Sequence, residues 1–264
     1  MTVNPEGREA MEEGGGGTGL PASVEAAWGL RGRPAKGPKP GLSLQRIVEA
    51  AVKLADADGL AAISMGRVAA ELGASTMSLY RYVAAKDELL ALMVDAAGGP
   101  PPAPPGPGEG WREGLSRWAW AELRMHRRHP WVVRVPIGGP PATPNQVTWL
   151  EQGLRCLRDT GLAEGEKLSV ILLLTGYVRN YATLEADLAE AAAGSGSGAA
   201  GRSTMSDYGR LLARLTDAER FPALHAVINA GVLDEPDDLD AEFVFGLERV
   251  LDGVDALVRA RTPA

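Results

Sequence analysis

Apolar residues recur at helical spacing along most of the chain, and this pattern predicts an all-α protein. It is clearest between residues 44 and 55, where apolar side chains lie three or four positions apart: Leu44, Ile47, Val48, Ala51, Leu54 and Ala55. This spacing places them on one face of a helix, with Ser43 as its N-cap and Gly59 at its end. No stretch shows the strict alternation of a half-buried strand, and no repeat recurs with a period of about 20–50 residues.

Residues 64–83 predict two short helices joined by a tight turn. Ser64 can cap the first helix, and Gly73 follows it at a place where helices often end on a positive φ. Ser75 or Thr76 can cap the second helix. The inward positions of this second helix are Leu79 and Val83. A short helix, a glycine turn and a second short helix form the arrangement that lays the second helix in the major groove of DNA.

The run from Leu42 to Leu90 closely resembles the N-terminal DNA-binding domain of the TetR family of bacterial repressors. The matching marks are LADADGL at the end of the first helix, VAAELG, SLYRYV, and Lys86 three residues after Val83. The resemblance implies a three-helix helix-turn-helix head at residues 42–97. It also implies a homodimer that binds a palindromic operator in double-stranded DNA.

The resemblance also implies which residues of the head contact DNA. Thr76, Met77, Ser78, Arg81 and Tyr82 are expected to face the major groove, while Tyr80 and Lys86 contact phosphates and Ser64 also lies at the DNA. A guanidinium such as that of Arg81 can bind guanine O6 and N7 in a bidentate manner. Gly66 stands where family members often carry a polar or basic residue, so no contact is expected from it.

Residues 1–41 are predicted to be a disordered arm, because they hold Gly14–Gly17 and scattered prolines with little apolar periodicity. A transient turn is expected at most, at Val24–Trp28. Arg31 and Arg33 belong to an Arg-Gly-Arg-Pro sequence that resembles an AT-hook core. Such a segment fits a narrow A·T minor groove; the alternatives are attraction to phosphates and a merely soluble basic linker.

The charge distribution favours a role for this arm. The whole chain has a formal net charge of −7, which argues against a non-specific nucleic-acid coat protein. Residues 42–97 have five Lys or Arg against seven Asp or Glu, whereas residues 31–41 have four basic residues and no acidic ones. DNA affinity is therefore expected to depend in part on the arm.

Beyond the head, residues 98–110 form a Pro/Gly-rich linker, and residues 111–264 form a helical body. Helices are predicted at about 111–128, 144–160, 164–193, 208–215, 218–229 and 239–261. The segment Val170–Leu174 is apolar all round, which predicts a helix buried between neighbours. Arg128–Trp131 and Phe243–Leu247 resemble the tetracycline-repressor-like C-terminal domain, which implies ligand binding and dimerisation.

Two sites are expected in this body. Five of the six tryptophans fall within residues 111–149, so a small hydrophobic effector between the helices at 111–128 and 164–193 would touch Trp118, Trp149, Leu172 and Tyr177. The alternative is that these aromatic residues only pack the core. The helices at 164–193 and 239–261 are expected to form an intersubunit four-helix bundle, with Leu247 and Val254 on the shared face.

Other functional classes have little support. His126, His129 and His225 do not have the i, i+4 spacing of a helical metal site, and Cys156 lies on an apolar helix face. We therefore expect no catalytic residues, metal or cofactor, no signal peptide and no membrane span, and a cytoplasmic protein. Three hypotheses remain: a ligand-released repressor, a constitutive or architectural DNA binder that uses the arm, and a helical enzyme or scaffold with an incidental hairpin.

Overall fold

The computed structural model describes residues 19–30, 42–106, 108–194, 204–234 and 238–261, and every regular element in these ranges is helical. The α-helices are α1 Ala22–Ala27, α2 Leu44–Asp58, α3 Met65–Glu71, α4 Thr76–Leu79, α5 Lys86–Gly98, α6 Trp111–Arg128, α7 Pro144–Cys156, α8 Glu164–Gly194, α9 Thr204–Leu215, α10 Pro222–Asn229 and α11 Leu239–Arg261. Short 3-10 helices occupy Leu60–Ala62 and Pro130–Arg134. The all-α prediction is confirmed.

The head (residues 42–97) folds around the apolar faces that the sequence predicts. Its fully buried side chains include Ile47, Val68, Leu79, Val83 and Leu89. Three serine caps fix the starts of its helices, because each hydroxyl accepts a backbone N–H in the first turn. The pairs are Ser43 with Arg46, Ser64 with Arg67 and Ser75 with Ser78, each at 3.2 Å.

The segment at residues 19–30 is more ordered than predicted. Residues 22–27 form α1, which packs against α5 and buries Ala26. The indole nitrogen of Trp28 then donates a hydrogen bond to the carbonyl of Ala142, 2.7 Å away in the loop before α7. An apolar contact and a hydrogen bond, rather than helix propensity over six residues, hold this segment in place. Arg31 and Arg33 lie outside the described residues.

The body (residues 111–261) is organised around α6, which packs on α7 and α8, while α11 packs on α8. Its core includes Leu115, Leu123, Leu174 and Phe243. Two glycines let neighbouring helices approach closely. A Cβ on Gly114 would lie 3.0 Å from the sulfur of Cys156, and one on Gly153 would lie 2.8 Å from Ile171 Cδ1.

Within one chain, α8 is not buried on all sides. Val170, Ile171 and Leu174 are buried, but Leu172 is 73% exposed and Leu173 is 54% exposed. The other helices in the described part of the chain cover only one side of α8. Its outer side carries further exposed leucines: Leu168, Leu184 and Leu188.

The expected positions of Leu247 and Val254 are also wrong. Both are almost fully buried within their own chain, where they belong to the same apolar cluster as Leu115 and Leu174. They lie on the face of α11 that meets α8, since an apolar side chain four or seven residues from another repeats the same helix face. A charge at either position would disrupt the fold rather than an intersubunit contact.

The head and the body are joined directly, in addition to the linker between them. Asp95 of α5 accepts hydrogen bonds from the backbone N–H groups of Asn145 and Gln146 at the start of α7, at 2.9 and 3.2 Å. The Asn145 side-chain amide donates to the Asp95 carbonyl (2.9 Å) and to its carboxylate (3.1 Å). Trp149 Nε1 donates to the Gly99 carbonyl at 2.9 Å. We call these bonds the α5–α7 clamp.

A second contact joins α2 to the 3-10 helix that follows α6. One carboxylate oxygen of Asp56 lies 2.7 Å from Nδ1 of His129 and accepts the indole N–H of Trp131 at 2.6 Å. Trp131 is buried in the same apolar cluster as the head core. The head is therefore packed on the body at two separate places.

The remaining helices, α9 and α10, pack mainly on each other and carry several exposed apolar side chains, among them Leu211, Leu215 and Val227. None of the helices in the described part of the chain combines the length and apolar character that a bilayer crossing requires.

Candidate DNA-binding surface and ligand site

The turn between α3 and α4 depends on Gly73. Its φ is 59°, a left-handed conformation that residues with a Cβ rarely adopt. The backbone N–H of Ala74 donates to the carbonyl of Ala69 at 2.9 Å and closes the turn. Buried Val68 and Leu79 then fix α3 and α4 against the head core. The first helix thus packs against the second and fixes its position on the head.

Several of the residues predicted to contact DNA are exposed to solvent. Met77 is 75% exposed and Tyr80 is 46% exposed. Arg81, Lys86 and Ser64 are also exposed, whereas Thr76 and Ser78 are half-buried. Ser64 uses its hydroxyl as an N-cap, and the Ser78 hydroxyl lies 2.8 Å from that of Ser75. An apolar side chain, a phenol and two cations are thus exposed in this part of the head.

Tyr82 does not face outward with them. It is half-buried against the head core, and its hydroxyl donates to the carbonyl of Leu42 at 3.1 Å. The prediction of a major-groove contact from Tyr82 is therefore corrected: this side chain ties the start of α2 to the turn after α4. Leu42 is also the first described residue after the basic segment 31–41, so that segment joins the head beside the recognition turn.

The residues expected to bind a ligand are only partly together. Trp118 and Trp149 form an edge-to-face pair with ring centroids 5.8 Å apart, and Trp118 Nε1 donates to the Trp149 carbonyl at 3.0 Å. Tyr177 belongs to a different aromatic group, because it stacks on Phe243 at 5.4 Å. Leu172 points away from α6 on the exposed side of α8, so it is removed from the ligand set.

Sequence reasoning missed a polar cluster near Trp118. Glu122 and His126 lie on the inward face of α6 and are buried, although both residue types usually lie at the surface. Burial raises the pKa of Glu122 to about 8, against the attraction of Arg179. Burial, and secondarily the charge of Arg179, lowers the pKa of His126 to about 4. The available signal was their i, i+4 spacing within the apolar stripe that contains Trp118.

This burial predicts a specific pH dependence of stability. Between about pH 6.5 and 8, Glu122 is protonated in the folded protein, while the unfolded glutamate, with its ordinary pKa of 4.5, is ionised. Stability that is complete below pH 4.5 is lost as the pH rises toward 8, by about 1.4 kcal/mol per pH unit. Urea unfolding at pH 6.5 and 8.0 should show this loss in the parent protein and lack it in Glu122→Gln. An equal pH dependence in both proteins would contradict the raised pKa.

A separate groove of about 480 Å³ lies on the outer side of α6, lined by Arg112, Glu113, Ser116, Arg117, Trp120, Arg124 and Glu248. Its arginines are mostly neutralised. Arg112 pairs with Glu248 and Asp252, and Arg117 pairs with Glu109. The groove is open and its charges are satisfied, so it is a weaker candidate than the buried cluster.

Comparison with known proteins agrees with this architecture. Residues 47–93 match the family described as bacterial regulatory proteins, tetR family. Residues 103–258 match the family described as tetracyclin repressor-like, C-terminal domain. HTH-type transcriptional repressor DrrR1 of Streptomyces coeruleorubidus is 38% identical over 268 residues, which cover 97% of this chain and 93% of that protein.

Solved structures show the same likeness. ActR, a TetR family protein of Streptomyces coelicolor, superposes in its complex with actinorhodin with a TM-score of 0.71 and 30% identity, over 83% of this chain and 97% of that chain. Apo ActR gives a TM-score of 0.71 and 29% identity, over 85% and 100% of the two chains. The likeness runs through the head and the body alike. The protein is a DNA-binding transcriptional repressor, and it belongs to the TetR family.

Proposed function

We propose that the protein is a homodimeric repressor that binds a palindromic operator and leaves it when a small effector enters the body. The α5–α7 clamp carries this proposal, because it attaches the last helix of the head to a helix of the body through several hydrogen bonds. A movement of α7 is thereby transmitted to the head. Since its target is chromosomal DNA, we place the protein in the cytoplasm.

The recognition surface supports contacts of two kinds. Arg81 reads a guanine, and the exposed methyl group of Met77 packs on a thymine methyl. Tyr80 and Lys86 bind phosphates, with Ser64 at the edge of the same surface. The segment with Arg31 and Arg33 adds attraction to the DNA backbone, because it joins the head where Tyr82 holds Leu42.

The exposed side of α8 supports a dimer. Its leucines follow an i, i+4 ridge, and exposed apolar surface of this extent on one helix is typical of an interface. Gly176 lies on the ridge, and a Cβ there would meet no atom of its own chain within 4 Å. A second α8 can therefore approach closely. Two-fold symmetry would give two recognition helices spaced for a palindrome.

Release by a ligand requires that the ligand bind more tightly to the DNA-incompetent arrangement of the heads. Coupling of ordinary size, about 1–3 kcal/mol, would weaken DNA binding roughly 5- to 150-fold. Trp118 and Trp149 support a site in the body, because Trp149 is itself part of the α5–α7 clamp. The ActR complex makes actinorhodin a reasonable first compound to test. A constitutive DNA binder is less favoured, since a protein without an effector would have no use for the α5–α7 clamp between body and head.

The test is operator binding. The full-length protein should give a sharp, salt-sensitive shift on a short palindrome from DNA upstream of its own gene. Arg81→Ala should weaken this complex by about 1–3 kcal/mol and relax the preference at one base pair of each half-site. Lys86→Ala should weaken binding to all sequences alike and lower the salt slope by about one. Anisotropy titrations on a set of single-base operator variants measure both effects.

If Arg81→Ala discriminates among the operator variants as the parent protein does, Arg81 does not read a base. A broad A·T preference without a palindrome would instead support the architectural alternative. The absence of any shift, at any salt concentration, would reject the proposed function.

A further inference from the structure

Four side-chain polar atoms in the body are buried and lack a hydrogen-bond partner among the residues that the structure describes: Oγ1 of Thr143, Nε2 of Gln152, Oε2 of Glu122 and Nδ1 of His126. The atoms of Glu122 and His126 stand out because they belong to one helix, α6. The two side chains are only 9% and 4% exposed. Folded proteins pair nearly all buried polar atoms, because an unpaired one lowers stability. An unpaired atom in a native structure therefore calls for an explanation.

The two unpaired atoms belong to one cluster. Glu122 and His126 are four residues apart on α6, so their side chains are neighbours on one face. Both interact electrostatically with Arg179 of α8. Arg179 in turn donates to the carbonyls of Val133 and Val135, each at 3.0 Å. The cluster thus lies where α6, α8 and the segment after α6 meet.

The surroundings of the cluster are apolar. Trp118 lies one turn before Glu122 on the same face of α6 and is buried, as are Leu115 and Leu123. Val178, next to Arg179, is fully buried. A few polar groups that converge within aromatic and aliphatic walls are the usual composition of a small-molecule site.

We propose that Glu122 and His126 are the polar recognition elements of the effector site, and that the effector is an aromatic compound with a hydroxyl or carbonyl group that hydrogen-bonds to both. This inference rests on the proposed function and names the chemical class of its ligand. The apolar walls near Trp118 contact the rings of the effector, and the two unpaired polar atoms form hydrogen bonds with its hydroxyl or carbonyl group.

The charges in the cluster narrow the class further. Glu122 is protonated at neutral pH, so its carboxyl group can both donate and accept a hydrogen bond. His126 is neutral, and the ring nitrogen that its tautomer leaves unprotonated accepts. Arg179 is the remaining charge and repels a cation. The favoured effector is neutral or anionic rather than an amine.

The test compares 2-naphthol with naphthalene, which differ only in the hydroxyl group. A purely apolar site prefers naphthalene, because the hydroxyl of 2-naphthol must leave water. The parent protein should bind 2-naphthol at least about tenfold more tightly, as expected for a site with polar atoms to satisfy. Equilibrium dialysis of the full-length protein measures both dissociation constants.

Two variants remove the polar atoms while keeping the volume similar: Glu122→Met and His126→Leu. Each should lose the tenfold preference for 2-naphthol. Each should also raise the melting temperature of the ligand-free protein by roughly 2–6 °C, because a buried unpaired atom is removed. Arg124→Met is the matched control, since Arg124 is exposed on the opposite side of α6 and should change neither result.

The outcomes are separable. Preference of the parent protein for naphthalene, or binding of neither compound, overturns the inference. So does a lower melting temperature in both variants, since that shows a structural role for the pair. Operator binding, measured in parallel, should be unchanged in Glu122→Met and His126→Leu. If the parent protein does not bind the operator, the proposed function is rejected. If it binds the operator but does not prefer 2-naphthol, only this inference is rejected.

Discussion

Replacing Leu172 with glutamate is expected to convert the protein into a monomer and to weaken operator binding by about 100- to 10,000-fold, the range over which linked binding units gain from each other. Leu172 is the most exposed leucine of the α8 ridge. In a two-fold dimer its substitution would bury two carboxylates in an apolar contact. Sedimentation equilibrium and operator anisotropy measure the two effects.

Ile137 provides the matched control. It is also largely exposed, but it lies in the loop between the 3-10 helix Pro130–Arg134 and α7. Ile137→Glu should leave the dimer and its operator affinity intact. Circular dichroism should show that Leu172→Glu keeps its helices, since Leu172 contributes little to the core of its own chain. A dimeric Leu172→Glu with parental affinity would place the subunit interface elsewhere.

Replacing Asp95 with alanine is expected to lower the free energy of unfolding by roughly 2–4 kcal/mol and to uncouple the body from the head. The substitution leaves the N–H groups of Asn145 and Gln146 at the start of α7 without their acceptor. Hydrogen bonds to a charged acceptor contribute more than neutral ones, and loss of a helix cap has a similar cost. Urea unfolding measures the first effect.

Uncoupling is measured as the ratio of operator affinities with and without effector. The parent protein should show a ratio of roughly 5–150, whereas Asp95→Ala should approach one. Asp95→Asn keeps one acceptor oxygen and should fall between them. A parental ratio in Asp95→Ala would mean that the contact of Asp56 with His129 and Trp131 carries the coupling instead.

The local structure of the head was largely predictable from the sequence. Ser43, Ser64 and Ser75 each precede an apolar stripe, and each proved to be an N-cap. Gly73 adopts the positive φ expected of it. These features depend on interactions within a few residues, which sequence spacing describes directly.

The orientation of α8 could not be predicted in the same way. Its central segment has apolar residues on every side, so periodicity does not distinguish the face that meets its own chain from the face left exposed. Leu172 was therefore assigned to a pocket within the chain. Only the positions of α6, α7 and α11 decide between the two faces, and these come from tertiary packing.

Hydrogen bonds between residues far apart in sequence could not be predicted either. An aspartate near the end of a helix, such as Asp95, is usually solvated, but here it caps a helix 50 residues away. Tyr82 lies within the recognition sequence, yet its hydroxyl binds Leu42. The burial of Glu122 was not predicted for a similar reason, since acidic residues are seldom fully buried.

Because Cys156 is buried against Gly114, labelling of its thiol can measure how often α6 and α7 separate. Cys156 is the sole cysteine in 264 residues, and burial raises the pKa of its thiol. The sulfur lies between α6 and α7, next to Gly114, which has no side chain of its own there. A thiol reagent can reach it only in molecules whose two helices have separated, so the labelling rate follows the population of that open state. The kinetics of one reaction thus measure how often the two helices part.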